Sequence, residues 1–210
     1  MKRKLIVFGA TGGTGKHVVE QAIEQGYAVT AFVRNPDKLA LNHRNLHVVK
    51  GDVLNYQHVL KAMMDHEAVL CNLGMPASDK TTLRAEGTAN IVRAMEATGI
   101  QRLVCQTSLG FGDSKAVLPW HMKYLIVPFI LKNAFNDHAL QESVIENSTL
   151  RWTIVRPGNM ANAPKTGRYK HGFQPSEKIK LKVSRADVAH FMLDQLNNDR
   201  YLHQKVGISY

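Results

Sequence analysis

Near the start of the chain the residues GATGGTG at 9–15 have the types and spacing to hold a phosphate. The apolar run at 5–8 precedes them. At 16–25, Val18, Val19, Ala22 and Ile23 recur at helical spacing, and Gly26 is placed to stop that helix. Glycines between a strand and a helix turn the chain tightly and let a pyrophosphate reach the backbone. The N–H groups at the helix start then face the anion with a partial positive charge of about half a unit. Gly9, Gly12, Gly13 and Gly15 supply the turn, and Thr11 and Thr14 add hydroxyl donors. A dinucleotide is the ligand this pattern suits.

Further residues extend the reading. In a dinucleotide fold the end of the second strand meets the adenosine ribose, where an acid selects NAD and an arginine accommodates the 2′-phosphate of NADP. Arg34 in FVRNPDKL occupies that place, and no acid follows until Asp37. The expected cofactor is therefore NADPH (NADP+) rather than NADH. In GDV, Asp52 can accept from an adenine amino group while Val53 lies along the ring. In NLG, at the end of the fourth strand, Gly74 can let the cofactor's sugar chain pass close. Taken alone, both are ordinary turn sequences. Ser108 stands outside any G-x-S-x-G elbow, which disfavours hydrolase chemistry.

Other chemistries fall away. Cys71 and Cys105 lie in apolar runs without C-x-x-C spacing, so structural zinc, a redox dithiol and a secreted disulfide scaffold are unlikely classes. The 10 histidines include no H-E-x-x-H and no close His/Asp triplet, so no metal is expected. A net charge of +10 admits nucleic acid, an anionic membrane face or an anionic small molecule as partner. No zinc-finger spacing, recognition helix or interleaved aromatics mark a specific nucleic-acid surface. The stretch 165–185 is basic, with Glu177 its lone acid, and could draw in phosphate or propionate groups; charge for solubility accounts for it equally well.

The elements that must position these residues alternate. Strands are expected at 5–8, 28–33, 46–49, 68–73, 102–106 and 152–155, and helices at 16–25, 56–64, 81–98 and 184–196. The last helix opens with S-x-x-D, as in a capping box. The stretch 109–119 reads as loop, 120–147 as mostly helical with a break near Pro128, and 159–177 as irregular. An edge strand is expected at 178–183, and 206–209 closes the sheet. Alternation of this kind, without repeats or linkers, implies an α/β fold. It is a Rossmann-like doubly wound parallel sheet in three layers, α/β/α, forming one NAD(P)-binding domain over 1–210. Smaller substrate-side elements are expected at about 109–135 and 159–183. At 210 residues, with 44% hydrophobic and 21% charged, the chain can bury a sizeable core unaided. The apolar stretch after Lys4 is too short for a signal sequence and 125–131 too short for a membrane span, so a cytoplasmic protein without a transmembrane segment is expected. Monomer and dimer are both open.

Taken in order, GATGGTG, FVRNPDKL, GDV, EGTANIVRAM, the TS after the fifth strand, TIVRPGNM and SRADVAHFML resemble the atypical short-chain dehydrogenase/reductases. Within them, the likeness is to the biliverdin-IXβ reductase/flavin reductase group and its bacterial NAD(P)H-binding relatives. The likeness covers nearly the whole chain. It implies an oxidoreductase that passes hydride from NADPH to a planar conjugated acceptor, such as a flavin, quinone or tetrapyrrole. By resemblance, Thr11, Gly12, Gly13 and Thr14 hold the pyrophosphate and Arg34 the 2′-phosphate. Asp52 and Val53 frame the adenine, Leu73 and Gly74 lie on the nicotinamide side, and Thr107 and Pro157 join the cofactor-binding set. Ser108 matches the serine beside the nicotinamide, an orienting donor.

Two departures stand out. The Tyr-x-x-x-Lys pair of ordinary short-chain dehydrogenases is replaced by Ala134 and His138, and the histidine after the sixth strand by Asn159. A delocalising acceptor can take its proton from water, so the reaction left open needs positioning more than an enzymic acid. Trp120, His121, Tyr124, Asp137, His138 and Asn159 are candidate walls of the acceptor pocket. The apolar run 120–135 reads as core or pocket wall, with a membrane-contacting flap as the lesser reading. The same absences suit a second class, a cofactor-binding redox sensor of the NmrA-like regulator type without turnover.

Overall fold

A computed structural model describes residues 3–76, 78–174 and 177–210. The parts of the expected 159–177 segment at 175 and 176 lie outside the described residues.

Eight strands form the main sheet, in the order β3-β2-β1-β4-β5-β6-β10-β8. They are β1 (Lys4–Phe8), β2 (Ala28–Val33), β3 (Leu46–Lys50), β4 (Ala68–Cys71), β5 (Arg102–Gln106), β6 (Arg151–Pro157), β8 (Lys170–His171) and β10 (Gln204–Ser209). All pair in parallel except β8, which runs antiparallel to β10. Strands β1, β2, β4 and β5 are buried almost throughout, as a sheet covered on both faces demands. One face packs on α1 (Gly13–Glu24) and α5 (Arg185–Asp194), around Leu5, Val18, Leu70, Val104 and Val188. The other packs on α2 (Tyr56–Met63), α3 (Leu83–Thr98) and α4 (Lys132–Glu146), around Ile6, Val59, Ile91, Leu103 and Ile145. The fold is Rossmann-like and three-layered. Among the described residues no helix is long and apolar enough to cross a membrane.

Several expectations are corrected. An edge strand over 178–183 does not form. Only β9 (Lys182–Ser184) is extended, and it pairs with β7 (Asn159–Ala161) in a separate two-stranded sheet. Its alternating lysines face solvent beside that small ribbon. The segment after β6 is less irregular than expected, since it contributes both β7 and the edge strand β8. Residues 122–131 do not break near Pro128. They form a π-helix, Met122–Leu131, that runs directly into α4. Proline has no N–H for an α or a π ladder, so the helix continues through residue 128 with one backbone bond fewer.

One carboxylate on α4 anchors the start of α3. Asp137, 1% exposed, accepts from the backbone N–H of Arg84 at 3.2 Å and of Ala85 at 2.9 Å, and from Arg84 Nη1 at 3.0 Å. Those N–H groups belong to the first turn of α3, which has no side-chain cap of its own. Arg84 Nη2 in turn donates to the Met75 carbonyl at 2.8 Å, tying down the strand-end loop after β4. Removing the carboxylate would strand a buried guanidinium and two helix N–H groups. Asp137→Ala should therefore cost about 3–5 kcal/mol in urea unfolding, and a loss below about 1 kcal/mol would show that the pair is not the anchor described.

Candidate functional site

The chain turns at Gly9 with φ of 75°, a conformation glycine adopts freely. The turn is closed by Gly12 N–H donating to the Gly9 carbonyl at 2.9 Å. A side chain at Gly9 would run into the Asn72 carbonyl, so β1 and β4 can separate their outgoing loops only with glycine here. Helix α1 then starts at Gly13, with no side-chain cap and no acid in its first turn. Its leading amides are left for an anion.

Around this turn lies a cleft of about 740 Å³ at the carboxyl ends of β1, β2, β4 and β5. The order of strands reverses between β1 and β4, where ligands sit in open α/β sheets. Gly9, Thr11, Gly12, Gly13 and Thr14 line one wall, and Asn72, Leu73, Gly74, Met75 and Pro76 the opposite one. Val53, Leu73 and Leu83 give an apolar side; Val53 and Leu73 pack so close to Gly87 of α3 that a Cβ there would sit 2.9 Å from each. A side chain at Gly74 would meet no protein atom within 4 Å, so it would project into open space that a ligand can use. Arg34 and Lys38 line the end beyond β2; both are exposed and neither has an ion-pair partner among the described residues.

Of the lining groups not foreseen from the sequence, three stand out by their chemistry. Arg185, at the first position of α5, reaches over the glycine turn: a Cβ on Gly13 would lie 2.6 Å from its Cδ and Nε. Asn162 accepts from its Nη1 at 2.8 Å. The SRAD segment signalled only a helix cap, and the cap does form, with Ser184 Oγ accepting from Asp187 N–H at 2.9 Å. The other two are amides. Asn72 Oδ1 and Nδ2 and Gln106 Oε1 are buried without hydrogen-bond partners, and both residues line the cleft. Buried polar atoms rarely go unpaired. The alternation of β4 and β5, with Cys71 beside Cys105, sets Asn72 and Gln106 on the sheet face that carries the glycine turn.

The structure puts the remaining predicted residues elsewhere. Gly15 does not line the cleft; it packs on the Gly9 carbonyl, where any Cβ would collide. Thr14 lines it, but its hydroxyl points to Met160 Sδ at 3.5 Å. Asp52 closes an Asx turn by accepting from Leu54 N–H at 3.0 Å, so Gly51 and Val53 form that wall instead. Thr107 is buried and donates to Glu142 Oε1 at 2.7 Å; Arg156 donates to the same carboxylate through Nε at 2.8 Å and Nη2 at 2.5 Å. Arg156 also pairs with Asp113, so this cluster fastens the 107–113 loop to α4. Ser108 Oγ donates to the Leu109 carbonyl at 3.3 Å, and Pro157 accepts Leu109 N–H at 2.9 Å; neither lines the cleft. Asn159 sits in β7 and donates its N–H to Leu181. Trp120 and Tyr124, at 70% and 62% exposure, stand out from the surface rather than walling a pocket. Cys71 and Cys105 are buried free thiols, and among the described residues no cluster of three or more His, Cys, Asp or Glu could hold a metal.

A family model described as NAD(P)H-binding matches residues 9–199. An uncharacterised chloroplastic protein of Arabidopsis thaliana is 32% identical over 179 residues, 79% of this chain and 62% of that protein. The photosystem II assembly factor Ycf39 of Synechocystis sp. is 32% identical over 105 residues, 48% of this chain and 32% of its own length. The chain thus spans less than two thirds of the length of either relative. Among solved structures, a short-chain dehydrogenase/reductase of Veillonella parvula in complex with NADP superposes with a TM-score of 0.81 at 18% identity, covering 100% of this chain and 95% of that one. ChuY of Escherichia coli O157:H7, described as an anaerobillin reductase, superposes at 0.80 with 24% identity, covering 98% and 96%. These likenesses show a shared fold.

His138 is the predicted pocket residue that moves furthest from its expected role. It is buried, donates from Nδ1 to Gln141 Oε1 at 3.0 Å, and stacks on Phe111. Burial, helped by the nearby Arg84 charge, pushes its pKa down to about 4. A ring that stays neutral when folded but takes a proton near pH 6.5 when unfolded stabilises the fold fully above 6.5. That stability is lost as pH falls toward 4, by up to about 3 kcal/mol. In urea unfolding between pH 7 and 4, His138→Gln should remove close to one proton's worth of this pH dependence. An unchanged slope would show that the imidazole is not held neutral.

Proposed function

Since the chain belongs to the NAD(P)H-binding family, we propose that it is an NADPH-dependent reductase whose acceptor is a planar conjugated molecule, a flavin, quinone or tetrapyrrole. The observation that carries this reading is the composition of the cleft. Arg34, Lys38 and Arg185 line it and, among the described residues, no carboxylate does. Such a site favours a polyanion, and the exposed cations beyond β2 suit the 2′-phosphate that distinguishes NADPH.

The residues present fit the cofactor. The glycine turn and the uncapped start of α1 would take the pyrophosphate, with Arg185 closing over it. Val53 and Leu73 would flank apolar ring surface. Asn72 and Gln106, whose buried amide atoms lack partners, would pair with the carboxamide of the nicotinamide and hold its ring in one orientation. Bound there, NADPH supplies a hydride. The protein's own part is to fix the ring and to leave one of its faces open to the acceptor. No tyrosine or histidine lines the cleft among the described residues, so the acceptor must spread the incoming charge over its own ring system. Acidic groups on the acceptor would be drawn by the same basic surroundings. The lack of an acid also suits the second reading, a redox sensor that binds the cofactor without turnover.

Absorbance at 340 nm with FMN, riboflavin and quinones separates the two. Oxidation of NADPH by at least one acceptor is expected, and tight binding without oxidation by any of them would favour the sensor. Arg34→Ala should weaken NADPH about 10–100-fold, as loss of a charged hydrogen bond does, and leave NADH nearly unchanged. Equal weakening of both would remove the 2′-phosphate assignment. Gln106→Ala should weaken NADP+ about fivefold without affecting 2′,5′-ADP, which lacks the nicotinamide. Calorimetry showing the same loss for both ligands would place the amide away from the carboxamide.

A further inference from the structure

Among the described residues, most of the large apolar side chains that are exposed cluster in one place, on the π-helix and shortly before it. Trp120, Tyr124, Leu125, Phe129 and Ile130 are all more than half exposed, Phe129 by 82%. Their spacing explains how they cluster. In a π-helix each N–H bonds five residues back, so residues four to five apart stack on one side. Positions 120, 124/125 and 129/130 follow that step, and the half-buried Met122, Ile126, Val127 and Leu131 follow it on the other side of the segment. The conformation thus separates a half-buried apolar side from a second apolar stripe that faces solvent. Contiguous apolar surface of this kind on a folded domain marks a place where something binds.

The charges around the stripe say what binds. From Ser114 to Asn136 the chain contains no acid, while Lys115, Lys123 and Lys132 flank the exposed residues. None of the three lysines forms an ion pair among the described residues. Lys123 Nζ lies 5.8 Å from the Tyr124 ring, at the margin of the stripe. A second copy of the chain, joined by a twofold axis, would set lysine against lysine with no carboxylate to relieve them. An anionic lipid surface meets both features at once. Aromatic and aliphatic groups insert to the depth of the headgroups, and lysine ammonium groups stay at the phosphates.

We propose that residues 120–132 dock the protein on anionic membranes, with the apolar stripe lying in the interface and Lys115, Lys123 and Lys132 over the headgroups. The segment lies on the bilayer and does not cross it, since no described helix is long and apolar enough. This inference stands on the surface alone and is independent of what the cleft binds.

The test uses the chain's own reporter. Of the two tryptophans, Trp152 is buried and Trp120 exposed, so a change of emission on adding vesicles reports the stripe. Vesicles of phosphatidylcholine with phosphatidylglycerol should shift that emission to the blue and sediment the protein, with affinity on the order of a hundredfold above pure phosphatidylcholine. The double variant Phe129→Glu/Ile130→Glu changes side chains that are already solvent-exposed. It should lose vesicle binding at least about tenfold while its circular dichroism and NADPH titration match the parent. Absence of binding to the anionic vesicles, equal binding by the double variant, or a concentration-dependent dimer that the variant abolishes without any vesicle binding would each overturn the proposal.

Discussion

The cleft exists because two backbone segments meet where no side chain fits. Asn72 N–H donates to the Phe8 carbonyl at 2.9 Å, continuing the β1–β4 pairing by one residue. Just beyond it the chain at Gly9 turns in a positive-φ conformation against the Asn72 carbonyl. Any Cβ at Gly9 would push the turn away from β4 and break the alignment that sets the start of α1 opposite the loop after β4. The uncapped amides at the start of α1 and the buried Asn72 and Gln106 side chains share one cavity only while that contact holds. A steric constraint at one α-carbon thus sets the relation between both ends of a dinucleotide-sized site.

The walls around this contact are held by buried carboxylates that act on loops from outside the sheet. Asp137 caps α3 from α4 and, through Arg84, fixes the Met75 carbonyl. Glu142 gathers Arg156 and Thr107. Asp187 accepts from Thr166 N–H, Gly167 N–H and the Tyr210 hydroxyl, pinning the segment after β7 to the start of α5. That last set holds its carboxyl below the usual range against the opposing effect of burial. Each carboxylate is spent on structure. None of these three lines the cleft, whose charged lining residues are Arg34, Lys38 and Arg185.

What could be read from the sequence divides along the range of the interactions. Strands buried on both faces, such as β4 and the 5–8 part of β1, appear as unbroken apolar runs, and the Ser184–Asp187 cap lies within one helical turn; both were legible. The glycine turn and Arg34 were also legible as cleft-lining residues, because each is placed by the strand immediately before it. The π-helix was not, since its step of four to five residues matches neither the helical nor the strand period being sought. The β7–β9 ribbon pairs three-residue segments far apart in the chain, which leaves no local pattern. Thr107 and Ser108 looked available for a ligand because their partners, Glu142 and the Leu109 carbonyl, are set by folding. Arg185 and Gln106 were missed for the converse reason: one read as a helix start and the other as an ordinary strand residue until the fold brought both to the cavity.

The same distribution of groups restricts the chemistry on the proposed reading. A reductase that hands hydride to an isolated carbonyl develops charge on a single oxygen and needs a proton donor within hydrogen-bond reach. Here Ser108 donates to backbone, His138 is buried against Phe111 and does not line the cleft, and Ala134 replaces any phenol at its position. The polar side chains that line the cleft are cations, neutral amides and the Thr11 and Thr14 hydroxyls, which bind and orient but do not give up protons near neutral pH. A conjugated acceptor removes the requirement, because its ring system carries the added charge until solvent protonates it. Binding geometry then becomes the whole of the protein's contribution, and the precision of the Gly9–Asn72 contact matters more to such a reaction than the identity of any one acid.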